Sequence, residues 1–338
     1  MSRKIIIDTD PGQDDAVAIL LALASPELEV VGITTVAGNV SVDLTTLNAL
    51  KIVELAGVAD TVPVHRGCDR PLVLTLDYVE PDPKAPAYLG CPAPNVLRVQ
   101  SAAAVHGATG LEGSDLPTPS TRTRDEHAVD FIIRTVMEAE PGEITLATLA
   151  PLTNVAMALR REPRIAERLR EIVIMGGAFF FGGNSGPASE WNILVDPHAA
   201  HIVFTAGVPI TLVPLDCTQK VLTSQARRQK IKDLNSEVAR QVLGMIAFYD
   251  KYDEDKFSTD GGPLHDACVI GWLLAPDMWS GKDAHVAIET ASPLTLGMTV
   301  FDWWGVTGQT PNAHVLQDPD ADAFYDLLTE RLAHYPAD

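Results

Sequence analysis

Ile5-Ile6-Ile7-Asp8-Thr9-Asp10-Pro11-Gly12-Gln13-Asp14-Asp15-Ala16-Val17-Ala18-Ile19 places four carboxylates within eight residues, between a short apolar run and an apolar helical stretch. The first run reads as a β-strand and the second as a helix, so the turn that joins them faces the carboxyl edge of a sheet, where open α/β folds bind ligands. Four acidic groups this close repel one another unless a cation joins them. Carboxylate oxygens are hard donors that suit Ca²⁺ or Mg²⁺, and Ca²⁺ accepts several of them in irregular geometry. An acidic helix start, favoured by the helix dipole, accounts for Asp14 and Asp15 but leaves Asp8 and Asp10 unexplained. The motif therefore reads as a metal site, with Asp8 the member expected to be structural.

Outward from this motif, short β-branched runs alternate with helical stretches, the signature of βαβ units around a mainly parallel sheet. Strands are expected at 4–8, 29–35, 62–65, 144–148, 171–175 and 210–214, and helices at 14–24, 41–56, 126–139, 152–160, 197–206, 224–250 and 320–332. The fold class is α/β: an open, mainly parallel, doubly wound, Rossmann-like sheet flanked by helices. No repeat and no shift in composition divides the 338 residues, so one domain spanning 1–338 is expected. The segment 78–94, YVEPDPKAPAYLGCPAP, is too rich in proline for a helix or a central strand. A long irregular loop is expected there, either a lid over the site or a surface excursion.

Composition narrows the function classes. Hydrophobic residues make up 46% of the chain, ample for a core, yet no apolar run reaches the length of a membrane span. Three isoleucines ahead of Asp8 are too few for a signal-peptide core, so a cytoplasmic location is expected. A formal net charge of −20 opposes binding to a phosphate backbone, and neither nucleic acid nor membrane is an expected partner. Cys68, Cys91, Cys217 and Cys268 are far apart with no paired spacing, which suits reduced thiols better than a zinc ribbon or disulfides.

Further constellations follow candidate strands or open helices. Asn39 lies in Val36-Ala37-Gly38-Asn39-Val40, behind the second strand, where it could also cap the next helix. Leu149-Ala150-Pro151 follows the strand at 144–148, and Pro151 can open a helix and free upstream carbonyls to face a cation. Met175-Gly176-Gly177 leads into a Gly-rich loop that holds Asn184, Glu190 and Asn192, whose amide and carboxylate groups suit the hydroxyls of a sugar. In Gly262-Pro263-Leu264-His265-Asp266-Ala267-Cys268, a His-Asp pair precedes an apolar run and needs a partner or a metal if buried.

With the first motif, in this order and over this span, these segments resemble the nucleoside hydrolase family of the inosine-uridine-preferring type. The resemblance runs from Lys4 to about Val315, and DTDPGQDDAVAI is close to the family's signature. It implies one Ca²⁺ held by Asp10, Asp15, Asp266 and the main-chain carbonyl of Leu149. It implies that Asp14, Asn39 and Asn192 grip the ribose 2′- and 3′-hydroxyls, that Asn184 and Glu190 hold the 5′-hydroxyl, and that Met175 lines the sugar. Trp191 stands where the family carries an aromatic residue, and His265 where one branch places a histidine near the base. His106, in His106-Gly107-Ala108-Thr109-Gly110-Leu111, resembles a motif of the pocket wall. The resemblance also implies a nucleoside substrate, a role in salvage, and a homodimer or homotetramer. The proline-rich stretch is longer than the family leads one to expect and bears on which base is accepted.

The chemistry follows from these parts. A Ca²⁺-bound water has a lowered pKa, and a carboxylate that touches metal and water can take its proton, with Asp10 the candidate base. Carboxylates beneath the ring stabilise an oxocarbenium-like state, and attack from the face opposite the departing base inverts the sugar without a covalent intermediate. His265 is a candidate proton donor to the base, assisted by stacking from Trp191, Tyr249 or Tyr252. Two other readings compete. A haloacid-dehalogenase-type phosphatase would use Asp8 as nucleophile in Asp8-x-Asp10, but leaves the later polar sets without work. A Ca²⁺-dependent nucleoside-binding protein without catalysis would use the same residues.

Overall fold

The computed structural model describes residues 2–77, 98–257 and 259–337, so the proline-rich segment expected at 78–94 lies outside the described residues. The strands are β1 (Arg3–Thr9), β2 (Leu28–Thr35), β3 (Val64–Arg66), β4 (Thr75–Asp77), β5 (Arg98–Gln100), β6 (Ile144–Thr148), β7 (Glu171–Met175), β8 (Ile210–Val213), β9 (Trp279–Ile288), β10 (Thr299–Asp302) and β11 (Ala313–Pro319). Nine of them form one sheet in the order β10-β9-β11-β8-β7-β6-β1-β2-β3, and β4 pairs with β5 apart from it. From β3 across to β11 all neighbours are parallel; β9 runs antiparallel to β11 and to β10.

The three isoleucines that open the chain show why the sheet is buried on both faces. Successive side chains of a strand point to opposite sides. Ile5 and Ile7 join a core with Ile19 and Leu20 of the helix Gln13–Leu23, Ile270 of Ala267–Leu274 and Phe324 of Ala321–Leu332. Ile6 joins a second core with Ile132 of Ala128–Glu138, Val155 of Thr153–Arg161 and Val203 of Pro197–Phe204. A parallel strand covered on both faces has no polar side to show, hence an unbroken apolar run.

The six expected strands are present as β1, β2, β3, β6, β7 and β8, whereas the antiparallel edge and the β4–β5 pair were not anticipated. β9 begins Trp-Ser-Gly-Lys-Asp, and its residues 280–283 are exposed, so it lacks the apolar run that marks the central strands. The single helix expected at 224–250 is two helices, Gln225–Lys232 and Glu237–Phe257. Asn235 breaks it with φ of 48°, a left-handed conformation that asparagine tolerates and that ends a helix. The Ser236 hydroxyl then accepts the Ala239 N–H at 3.1 Å and starts the next one.

β1 has β2 on one side and β6 on the other. The chain winds outward from it in both directions, which leaves a crevice at the carboxyl ends of β1 and β6. Asp10 follows β1, Asn39 follows β2, Leu149 follows β6 and Met175 ends β7, so all four sit at the mouth of this crevice.

Candidate active site

The floor is built by the turn between β1 and its helix. Asp15 closes that turn: one carboxylate oxygen accepts the Gly12 N–H at 2.9 Å and the other accepts the Thr9 hydroxyl. Asp10 Oδ2 accepts the Asn39 N–H at 2.7 Å, while its Oδ1 is buried without a partner. Gly38 permits this approach, since a Cβ there would lie 2.0 Å from Asp10 Oδ2. The helix Ala267–Leu274 brings in Asp266, and carboxylate oxygens of Asp14, Asp15 and Asp266 lie within 4.8 Å of one another, all three residues buried.

Burial, then the charge of Asp15, pushes Asp10 well above the ordinary carboxylate range. Burial, then Asp14, Asp15 and Asp10, does the same to Asp266, and burial raises Asp15. Among the described residues no lysine or arginine lines the cavity above them, and the two histidines that do, His106 and His265, are held neutral by burial with pKa values lowered to about 3. The clustered carboxylates of Asp14, Asp15 and Asp266, with the unpartnered Oδ1 of Asp10 next to them, form a hard-donor set that fits a divalent cation. Asp14, part of the acidic motif and assigned to the ribose by the resemblance, belongs to this cluster as well as to the cavity wall.

Asp8 is turned away from this floor. Its Oδ1 accepts the Thr34 hydroxyl at 2.6 Å and Asn154 Nδ2 at 2.8 Å, and burial raises it to about 6. These bonds tie Asp8 to β2 and to the helix Thr153–Arg161, away from the Asp14, Asp15 and Asp266 cluster, so the phosphatase reading loses its nucleophile.

A small cavity, about 60 Å³, opens above the floor. It brings together Asp14, Asn39, His106, Leu149, Met175, Asn184, Glu190, Trp191, Asn192, His265 and Asp266; Asp15 clusters with Asp14 and Asp266, and Asp10 is bonded to Asn39. Glu190 caps the short helix Trp191–Val195 by accepting the N–H groups of Asn192 at 2.9 Å and Ile193 at 3.2 Å. The same carboxylate accepts the Gly177 N–H at 3.0 Å, which ties the Gly-rich loop to β7, and burial raises it to about 7. Asn192 Nδ2 donates to the carbonyls of Leu149 at 3.0 Å and Met175 at 3.2 Å, bracing the ends of β6 and β7. Asn184 Oδ1 accepts the Trp191 N–H at 3.0 Å.

Residues 5–326 match the family described as inosine-uridine preferring nucleoside hydrolase. The chain belongs to that family. This nucleoside hydrolase is 47% identical, over 98% of its length and the whole of the relative, to an uncharacterised protein of Schizosaccharomyces pombe. It is 40% identical, over 99% of its length and the whole of the relative, to the pyrimidine-specific ribonucleoside hydrolase RihA of Salmonella paratyphi B. Among solved structures it is similar to a purine-preferring ribonucleoside hydrolase from Gardnerella vaginalis, with a TM-score of 0.85, 31% identity and 98% of each chain covered. It is also similar to a plant nucleoside hydrolase, with a TM-score of 0.84, 34% identity, and 98% of this chain and 99% of the other covered. The reaction is hydrolysis of an N-glycosidic bond.

On the far side of the nucleoside hydrolase cavity, His265 Nδ1 meets the Thr218 hydroxyl at 2.6 Å, and the His106 ring lies 5.5 Å from that of Tyr249. The side chain of Tyr252 lies outside the described residues. Since burial keeps His265 neutral, it is placed to share a hydrogen bond, not to carry a ready positive charge. Sequence reasoning missed Ala102, Val105 and Ser185 of the lining, and Gln13 and Thr218, which hold the histidines. Ser185 adjoins Asn184 and Gln13 lies inside the acidic motif, so position alone could have flagged both. Nothing in the residue type marked Thr218.

Proposed function

We propose that the enzyme hydrolyses ribonucleosides to ribose and free base with Ca²⁺ held by Asp10, Asp15, Asp266 and the carbonyl of Leu149, and with Asp10 as general base. The observation that carries this reading is the cluster of buried Asp14, Asp15 and Asp266 carboxylates, set beneath a cavity rimmed by amide side chains. When bound, the cation acts as a Lewis acid toward water and neutralises the floor. Asp10 Oδ1, which no protein group takes, is the atom left to accept the proton of the attacking water. Asp14, Asn39 and Asn192 would orient the 2′- and 3′-hydroxyls, and Asn184 and Glu190 the 5′-hydroxyl, with Met175 against the sugar. Glu190, already fed by three backbone N–H groups, meets a hydroxyl as an acceptor. Positive charge that develops on the ribose faces the carboxylates below, which lowers the barrier without a covalent intermediate and leaves the sugar inverted. Trp191 and Tyr249 offer faces for the base, with His265 beside it. We read the enzyme as a homodimer or homotetramer that works in cytoplasmic nucleoside salvage.

The test is release of free ribose from inosine, uridine, adenosine, guanosine and cytidine, before and after treatment with EDTA and then added Ca²⁺. Release lost on chelation and restored by Ca²⁺ supports the reading. Turnover that survives exhaustive chelation overturns the role of the cation. Uridine and cytidine are expected to be cleaved fastest, because the Salmonella relative is named for pyrimidine nucleosides. Ca²⁺-dependent binding without ribose release would favour the binding protein.

A further inference from the structure

Gln13 is buried between the acidic turn and His106, and its three hydrogen bonds settle a question the histidine alone leaves open. Its Nε2 donates to the carbonyl of His106 at 3.0 Å and to that of Glu112 at 3.2 Å. A carbonyl only accepts, so the amide nitrogen must face this pair and Oε1 must face the other way. Oε1 lies 2.6 Å from His106 Nδ1. An amide oxygen only accepts as well, so the hydrogen between them belongs to Nδ1. Burial opposes a second proton on the ring, and Nε2 is therefore bare. The ring has little room to turn over: a Cβ at Gly12 would lie 2.4 Å from Nδ1 and 2.7 Å from Cε1, so this edge rests directly on the turn backbone.

We infer that Gln13 is a positioning residue that locks His106 as the Nδ1–H tautomer, so that the ring offers the substrate an acceptor, Nε2, for an N–H or O–H hydrogen bond. This rests on the nucleoside-hydrolase reading of the cavity and adds a specificity element to it. It also gives the two cavity histidines different work. His106 in this tautomer cannot hand a proton to the departing base, which leaves that task to other groups. The donor it selects is either a base N–H or the ribose 5′-hydroxyl, and both present the same chemistry to Nε2. Because Gln13 directly precedes Asp14 and Asp15, the tautomer lock and the acidic floor share one turn of backbone.

The direct test is ¹⁵N spectroscopy of the imidazoles in the full-length enzyme, with the His106 signals assigned by their loss in His106→Gln. The expected result is a protonated Nδ1 and a bare Nε2 near neutral pH, and a bare Nδ1 overturns the proposal whether or not the enzyme turns over. The second test compares the best-cleaved nucleoside with an analogue whose base N–H groups are methylated and with its 5′-deoxy analogue. Wild type should lose roughly tenfold in kcat/KM, chiefly through KM, with one of the two, which identifies the donor. Gln13→Met, close in shape but unable to hold the tautomer, should raise KM for the parent nucleoside and cleave parent and analogue alike. Wild type that treats all three substrates alike overturns the acceptor role, as does discrimination that persists unchanged in Gln13→Met. Failure to release ribose from any nucleoside would refute the proposed function instead, and leaves the spectroscopic result to stand by itself.

Discussion

Asp10→Asn should make the cation-free enzyme more stable while it destroys turnover. The asparagine keeps an oxygen for the Asn39 N–H, now at 2.7 Å, and removes a carboxylate that burial and Asp15 both penalise. Relief of one buried like charge is worth about 2 kcal/mol. Unfolding entropy of roughly 2.1 cal/mol/K per residue, taken over 338 residues, makes this a rise of about 3 °C in Tm under chelator. Added Ca²⁺ should reverse the order. At 100 times its Kd a ligand stabilises by about 2.7 kcal/mol, or about 4 °C here, and the variant, short of a carboxylate, captures less of it. Ribose release should fall by 10² to 10⁴, the usual range for a lost general base. Thermal scans with EDTA and with Ca²⁺, run beside the ribose assay, provide the check. A variant that melts below wild type in EDTA, or that keeps activity within tenfold, would refute the account of Asp10 as a buried base with one unpartnered oxygen.

The same burial predicts an unusual pH dependence. Asp8 is raised from 3.8 to about 6 and Glu190 from 4.5 to about 7, with Asp10, Asp15 and Asp266 shifted the same way. Each group binds its proton more tightly when folded, so this stabilisation is complete below the unfolded pKa values and is lost as pH rises through the folded ones. Cation-stripped enzyme should therefore melt at falling temperature between about pH 4 and pH 7, and a flat or rising Tm would contradict it. Gly38→Ala drives a Cβ to 2.0 Å from Asp10 Oδ2 and should cost at least tenfold in kcat in a chain that still folds, as checked by circular dichroism alongside the assay. Asn154 donates to Asp8 and to the Thr35 carbonyl and accepts the Cys68 N–H at 2.9 Å, joining β1, β2 and the segment after β3. Asn154→Ala should cost about 2–4 kcal/mol in denaturant unfolding, and a loss under 1 kcal/mol would show that these bonds are replaced by water.

How much could be read in advance depended on whether the signal was local. The central strands were legible because a parallel strand buried on both faces must be apolar throughout, and the acidic turn because four carboxylates crowd into it. β9 was not, since its first half, which β10 does not cover, carries Ser280, Gly281, Lys282 and Asp283 exposed and so lacks an apolar run. The break at Asn235 escaped notice because the helical pattern resumes in nearly the same register and only the left-handed backbone marks it. Within the site, residue type announced the carboxylates and amides, but not what each holds in the folded chain. Glu190 turned out to receive three backbone N–H groups, and Asn192 to brace two strand ends.

The sequence by itself determined the α/β class and the acidic turn, because apolar periodicity and clustered charge are properties of neighbours along the chain, while its resemblance to the nucleoside hydrolases implied the reaction and most of the residues that meet at the cavity. Only the tertiary structure decided that Thr34 and Asn154 hold Asp8, that Asp266 joins Asp14 and Asp15, that His265 is buried enough to stay neutral, and that Gln13 meets His106 across 93 residues. Those outcomes depend on desolvation and on hydrogen-bond geometry between distant segments. Neither exists until the sheet has brought the ends of β1, β2, β6 and β7 to one edge.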